Sequence, residues 1–352
     1  MECCGEAQPR AQAERRQPPI RSSAHRSAAM AFKTLRRALS QILLVTIGTC
    51  LGLWMCLKIG VQVLLKGKSI LTPKQRPEEP ACLRDPSLGS HEFVTLQDVT
   101  LHYVSAGSHD NPLMVLLHGF PDTWYTWEKQ IRHFQKDHWV VAVDMRGCGL
   151  SSKTQLVEDY LMSRMVDDVR RLILSLGRRK AIIVGHGLGG MVAWVLATKH
   201  EDMVDRLVVV NGPHPLAFHY QLENSFAQML KSWYIVTFQS PKLPEAVLKA
   251  NDFELIDKAL GPSQVDFKEV VKHSLSRPGA LTAALNHYRA LWRRDDRLRD
   301  LRFRYLNTPT LIVWGQRDRY LTLKLAQLSI LQAFGRVEYL TDAGHWVHRE
   351  RA

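Results

Sequence analysis

Two residues far apart in the sequence have the chemistry of a proton-handling pair. Asp318 closes Trp314-Gly315-Gln316-Arg317-Asp318, just after an apolar run, and His345 sits in Gly344-His345-Trp346 after another. A carboxylate at one strand end can orient an imidazole at a second, and the imidazole can then take a proton from water. The partner such a pair needs is a nucleophile upstream, on a strand–turn–helix elbow. The frame of that elbow is present. Residues 181–184 are apolar and β-branched, as in a buried strand. Gly185, Gly189 and Gly190 permit a sharp turn with a helix packed close to the strand, and residues 191–198 carry apolar side chains at helical spacing. The central position of the turn is Gly187, which has no side chain and cannot attack anything.

A second turn, His118-Gly119-Phe120-Pro121, follows the apolar run 113–117. It can aim the backbone N–H of Phe120, together with that of Leu188 after the elbow, at a developing negative charge. Asp122 follows this turn without an evident route to a substrate atom. Of the other histidines, His133, His138 and His273 show no metal-ligand spacing and read as solvated. No metal and no cofactor is expected.

The elements that position these groups alternate. Residues 93–106 read as two strands joined near Asp98. Continuous apolar runs at 113–117 and 139–143 suit strands covered on both faces. Residues 165–176 read as an amphipathic helix, 206–210 as a strand ending at Asn211-Gly212-Pro213, and strand character returns at 310–314 and 336–340. Between 214 and 300 only helical patterns occur. Alternating strands and helices with a helical insertion imply an α/β chain: a mostly parallel sheet carrying a cap. The expected organisation is a disordered basic leader (1–37), an apolar anchor (38–65), a Pro-rich linker (66–92), the first part of the core (93–213), the cap (214–300) and the second part of the core (301–352).

The net charge of +13 is uneven: residues 1–76 hold 13 Lys/Arg against three Glu, a net of +10, and the remainder holds 34 basic against 31 acidic residues, a net of +3. The globular part is nearly balanced, which excludes nucleic-acid binding through a basic folded face. Residues 38–57 contain no charge, and 20 residues make a helix of about 30 Å, enough to cross a bilayer. A single uncleaved membrane anchor is expected, with a cleaved signal peptide and a buried helix as alternatives. Lys and Arg flank both ends, so orientation stays open. Six cysteines, two of them in the leader and two in the anchor, make no disulfide framework.

Together the motifs resemble those of the epoxide hydrolases, a branch of the α/β-hydrolases. His118-Gly119-Phe120-Pro121, the turn at 144–149, the elbow, Trp314-Gly315 to Asp318 and Gly344-His345-Trp346 carry the resemblance. So do Pro80-Ala81-Cys82, Pro86-Ser87-Leu88-Gly89, Pro278-Gly279-Ala280 and Asn286-His287-Tyr288-Arg289. It spans about residues 38–349 and is strongest toward the membrane-anchored members, which implies an endoplasmic reticulum membrane and a small apolar or lipid epoxide as substrate. It implies an elbow aspartate that attacks the epoxide carbon, an ester cleaved by water activated at His345, and two cap tyrosines, Tyr234 and Tyr288, that hold the epoxide oxygen. The elbow departs from that pattern. Where the family has an Asp followed by Trp, this chain has Gly187 followed by Leu188. The resemblance also implies a further helix beyond residue 352, so that the part 301–352 reads as truncated. Activity is therefore expected to be lost or strongly impaired, the alternative being a pseudoenzyme or lipid-binding protein that uses the cap pocket. An ordinary serine esterase would need a hydroxyl at 187. Haloalkane dehalogenases share the elbow Asp but not the paired tyrosines.

Overall fold

The computed structural model describes residues 23–261, 265–299 and 301–351. It opens on one long helix, α1 (Ser23–Lys66). The disordered leader expected through residue 37 therefore ends earlier, because the helix of the apolar run continues back through an Ala-rich stretch with good helix propensity. Residues 1–22 of that leader lie outside the described residues.

The stretch read as a linker is also bound down. It contains three short 3₁₀ turns; Leu83 and Leu88 are buried, and Arg76 donates to both carboxylate oxygens of Asp252 at 2.8 Å. Its prolines forbid regular structure but not packing.

The core is one eight-stranded sheet in the order β1-β2-β4-β3-β5-β6-β7-β8. β1 (Ser90–Thr95) and β2 (Thr100–Ala106) are antiparallel and pair at the edge. β3 (Leu113–Leu117), β4 (Trp139–Val143), β5 (Ala181–His186), β6 (Val204–Val210), β7 (Leu306–Gly315) and β8 (Ala333–Leu340) run parallel to one another. All five residues of β3 and of β4 are buried, as continuous apolar strands between two helical layers require. The crossovers carry α2 (Glu128–Phe134), α3 (Met162–Ser175) and α4 (Gly187–Lys199). α4 is almost wholly buried, with Trp194 sealed at its centre.

After β6 the chain leaves the sheet for α5 (Pro215–Asn224), α6 (Phe226–Lys231), α7 (Trp233–Thr237), α8 (Leu243–Leu260), α9 (Val265–Ser276) and α10 (Ala280–Ala290). α8 is broken: Asn251, Asp252 and Phe253 have φ between +51° and +63°, and Arg76 clamps the break through Asp252. The chain re-enters the sheet at β7, followed by α11 (Leu323–Ile330), β8 and α12 (Val347–Glu350). This is an α/β-hydrolase fold with a helical cap.

Candidate active site

The loops that follow β3, β5, β6, β7 and β8 meet at the carboxyl ends of the parallel strands, where open α/β sheets place their ligands. β5 runs into α4 through Gly187, whose φ is +53°. This left-handed conformation, awkward for any residue with a Cβ, is the strained geometry that pushes a central side chain out of an elbow. Gly189 serves the packing: a Cβ there would stand 2.4 Å from Leu117 O, so α4 can approach β3 only without one.

His345 lies directly across from the elbow. A Cβ placed on Gly187 would stand 3.4 Å from His345 Nε2 and 3.7 Å from Gly119 Cα, which puts elbow, imidazole and the 118–121 turn in one place. His345 Nδ1 donates to Asp318 Oδ2 at 2.7 Å, which leaves Nε2 as the acceptor facing Gly187. Asp318 is buried and held from several sides. Tyr320 N and Leu321 N donate to its Oδ1 at 2.6 and 2.9 Å, and Asn211 Nδ2 donates to its Oδ2 at 2.6 Å. Burial pushes its pKa up, but His345, the Tyr320 backbone N–H and Asn211 together pull it below the usual value, so the carboxylate stays charged.

The cap supplies Tyr234 from α7 and Tyr288 from α10. Their rings pack edge to face, 5.7 Å between centroids. Burial pushes both phenols well above 10, so both remain protonated donors at neutral pH. Arg289 fixes their relative position. It donates to Phe238 O (2.9 Å), Ser240 O (3.0 Å) and Glu245 Oε1 (2.9 Å), tying α10 to the α7–α8 turn, and Gln239 Nε2 donates to Tyr288 O at 3.0 Å.

The two tyrosines and His345 line an apolar cavity of about 280 Å³ together with Phe120, Phe238 and Trp346. On their other side the same three residues line a recess of about 40 Å³ at Gly187 and Leu188. A larger cavity of about 550 Å³ lies between α1 and α5, away from His345. Phe120 packs edge-on to Tyr288 at 5.3 Å, and Leu188 is buried at the start of α4.

Asp122 is spoken for. Both its oxygens accept Trp346 Nε1 at 3.0 Å, and His186 Nδ1 lies 3.3 Å from Oδ2. Asp122, His186 and His348 form a buried group whose donor atoms lie within 4.8 Å of one another, near enough to hold a small cation. Burial pushes both histidines below 6.5, and the indole and imidazole contacts already occupy the carboxylate. The expectation of solvated histidines fails for His273, which is buried in α9 under the 66–92 segment; only His133 is fully exposed, and His138 is half-buried.

Two contributors escaped the sequence reading. Asn211 bridges strands, donating to Asp318 and accepting Gly315 N–H at 2.9 Å. Tyr320 walls both small cavities, with its ring 5.2 Å from that of His345. The Asn-Gly-Pro strand end, with Asn211 at φ +40°, was the visible signal for the first; nothing in the sequence marked the second.

A family model described as alpha/beta hydrolase fold matches residues 112–352. Epoxide hydrolase 4 of Mus musculus is 35% identical over 292 residues, covering 78% of this chain and 80% of the relative. Epoxide hydrolase 3 of Xenopus tropicalis is 37% identical over 291 residues, covering 78% of each. Among solved structures, a Bacillus megaterium epoxide hydrolase in complex with an inhibitor superposes with a TM-score of 0.67 at 28% identity, over 74% of this chain and 95% of that one.

Proposed function

The chain belongs to the α/β-hydrolase fold family and, within it, to the epoxide hydrolases, and on that premise we propose that it retains the family's pocket for a small apolar or lipid epoxide while lacking the carboxylate that opens it. One observation carries this reading: the position whose Cβ would stand 3.4 Å from His345 Nε2 is a glycine. In the family reaction an aspartate there attacks the epoxide carbon and forms an ester. Tyr234 and Tyr288 donate to the oxygen as it gains charge. His345, oriented by Asp318, activates the water that cleaves the ester, and the N–H groups of Phe120 and Leu188 stabilise the oxyanion formed on the way. The reading is supported by the His345–Asp318 hydrogen bond and by the cavity that Tyr234, Tyr288 and His345 line together. Removing a nucleophile from such a unit costs on the order of 10⁶ in turnover, so standard hydrolysis is lost or strongly impaired.

A second reading, a lipid-binding pseudoenzyme, is favoured by the apolar lining of the 280 Å³ cavity. The chain and its Gly187→Asp variant, assayed side by side on an epoxy fatty acid, separate the possibilities. Binding without turnover by the chain, with turnover gained by the variant, is expected. Turnover by the unsubstituted chain at rates typical of enzymes, with median kcat about 10 s⁻¹, would overturn the claim of lost catalysis. A slow direct hydrolysis, with His345 driving water onto an epoxide held by the tyrosines, would leave no ¹⁸O in the protein after a single turnover in labelled water.

Attachment to a membrane through residues 38–65, at the endoplasmic reticulum, completes the proposal. It is supported by a segment of 29 residues, Ala38–Lys66, long enough for a single crossing and containing an 18-residue stretch with mean hydropathy 2.0.

A further inference from the structure

The helix α1 does not stand clear of the globular part. It lies along the cap, packed against α5, α6, α7 and α8. The contact follows one stripe: Leu44, Ile47, Gly48, Leu51, Gly52 and Met55 are buried or half-buried, at the three- and four-residue spacing that keeps side chains on one helical face. Two glycines set the distance of approach. A Cβ on Gly48 would stand 2.4 Å from Val236 Cβ of α7, and one on Gly52 would stand 3.2 Å from Thr237 Cγ2. Thr237 Oγ1 donates to Gly48 O at 3.1 Å, and farther along Asn251 Nδ2 donates to Gln62 Oε1 at 2.9 Å.

This docked stretch is the middle of the uncharged run 38–57. In a crossing helix it would sit at the centre of a hydrocarbon layer about 30 Å thick, and the cap would have to follow it there. Glu223 lines the large cavity beside Ser40, and Lys258 lines the small one beside Met55. A charge carried into the hydrocarbon layer costs up to about 3 kcal/mol, and the loops between cap helices would expose backbone groups to lipid. Docking on the cap and crossing a bilayer are therefore alternative states of the same helix.

The face of α1 turned away from the cap suits a membrane surface. Leu39, Ile42, Leu53, Leu57 and Leu64 are exposed there, and the neighbouring cap helices add exposed Leu216, Tyr220, Phe226 and Leu230. Thr46 turns its hydroxyl back to Ile42 O at 2.8 Å, so it offers lipid no unpaired donor. Lys58 reaches over the exposed Trp54 ring at 5.6 Å, and Lys66 and Lys68 stand exposed at the helix's end, a pairing of aromatic and basic side chains that matches the headgroup level.

We infer that α1, docked on the cap, lies in the plane of a lipid bilayer instead of crossing it, and that the pocket takes its ligand from that bilayer through the wall formed by Met55. Met55 lines the 280 Å³ cavity with Tyr234, Tyr288 and His345, so membrane-facing helix and candidate site share a wall. The position of the helix stands independently of the function proposed above; the route of the ligand rests on it.

The full chain, its native cysteines replaced by serine or alanine, receives a nitroxide in turn at Leu39→Cys, Leu53→Cys and Leu64→Cys, all on the open face. In vesicles of phosphatidylcholine with one fifth phosphatidylserine, oxygen and nickel-chelate accessibilities report the depth of each label. In-plane docking gives three shallow depths within about 5 Å of one another, the depth range of an interfacial helix face. A crossing helix sets Leu53 near the midplane and spreads Leu39 and Leu64 over about 37 Å along its axis, and that graded profile would overturn the inference. Three water-exposed labels would overturn it equally. For the route, association of an 18-carbon epoxy fatty acid is followed from vesicles and from detergent. Met55→Trp slows the first about tenfold relative to the second, a change within the range over which variants of one site differ in association rate; equal slowing from vesicles and from detergent overturns the route. An unchanged rate overturns the route. Absence of binding in every form overturns the proposed pocket and the route with it, while the depth profile still decides where the helix lies.

Discussion

Gly187 is the residue on which the proposed chemistry turns, and its backbone has a cost attached. At φ +53° a side chain is strained by about 1–2 kcal/mol, so Gly187→Asp is expected to lower stability by that order in chemical denaturation even as it restores an attacking carboxylate. A rise in melting temperature would contradict the strained elbow. Asn211 allows a complementary test. Asn211→Ala removes the donor to Asp318 Oδ2 and leaves Gly315 N–H unpaired, so a loss of about 1–3 kcal/mol is expected, together with a displaced NMR resonance of the His345 Nδ1 proton that bonds Asp318. An unaltered Nδ1 proton resonance would show that Asn211 does not position Asp318. At this scale the sequence is explicit at the two strand ends that carry Asp318 and His345 and at the glycine in the centre of the elbow turn. It is silent on Tyr320, because nothing local distinguishes a tyrosine that faces a cavity from one that packs.

Among the elements, strands buried on both faces announce themselves: the apolar runs 113–117 and 139–143 are β3 and β4 to the residue. The docking of α1 had no such signature. A helix apolar all round shows no preferred face, and the close approach at Gly48 and Gly52 is visible only with α7 against it. The same holds for the 66–92 segment, whose prolines signalled irregular chain but not the ion pair between Arg76 and Asp252. Gly48→Leu tests the contact. Its Cβ would meet Val236 at 2.4 Å, an overpacking worth about 1–3 kcal/mol, so amide exchange in α7 should quicken while exchange in β3 and β5 stays slow. Unchanged protection of α7 would mean that the helix is not docked there.

For the whole molecule, sheet, cap and α1 enclose the site, and the burial that goes with this makes the fold sensitive to acid. Burial holds His214 near 4 and His287 near 3 in the folded chain, against an ordinary value of 6.5. The unfolded chain therefore binds more protons below pH 6.5. Stability is fully present above that value and falls as pH drops toward 4, by up to about 1.4 kcal/mol per pH unit for each histidine. Melting temperature should decline steadily from pH 7 to pH 5; a flat profile would contradict burial of these rings. The alternation of strands and helices made the sheet and the inserted cap legible, whereas the enclosure itself comes from contacts between segments up to about two hundred residues apart, which no local pattern encodes. The central claim is that a complete epoxide pocket lacks only its carboxylate, and intact-protein mass after incubation with an epoxy fatty acid tests it most directly. The His345→Gln chain should gain no mass, and the Gly187→Asp/His345→Gln chain should gain one equivalent of epoxide as a trapped ester. An adduct on the chain that keeps Gly187, or none on the chain given the aspartate, would contradict the account.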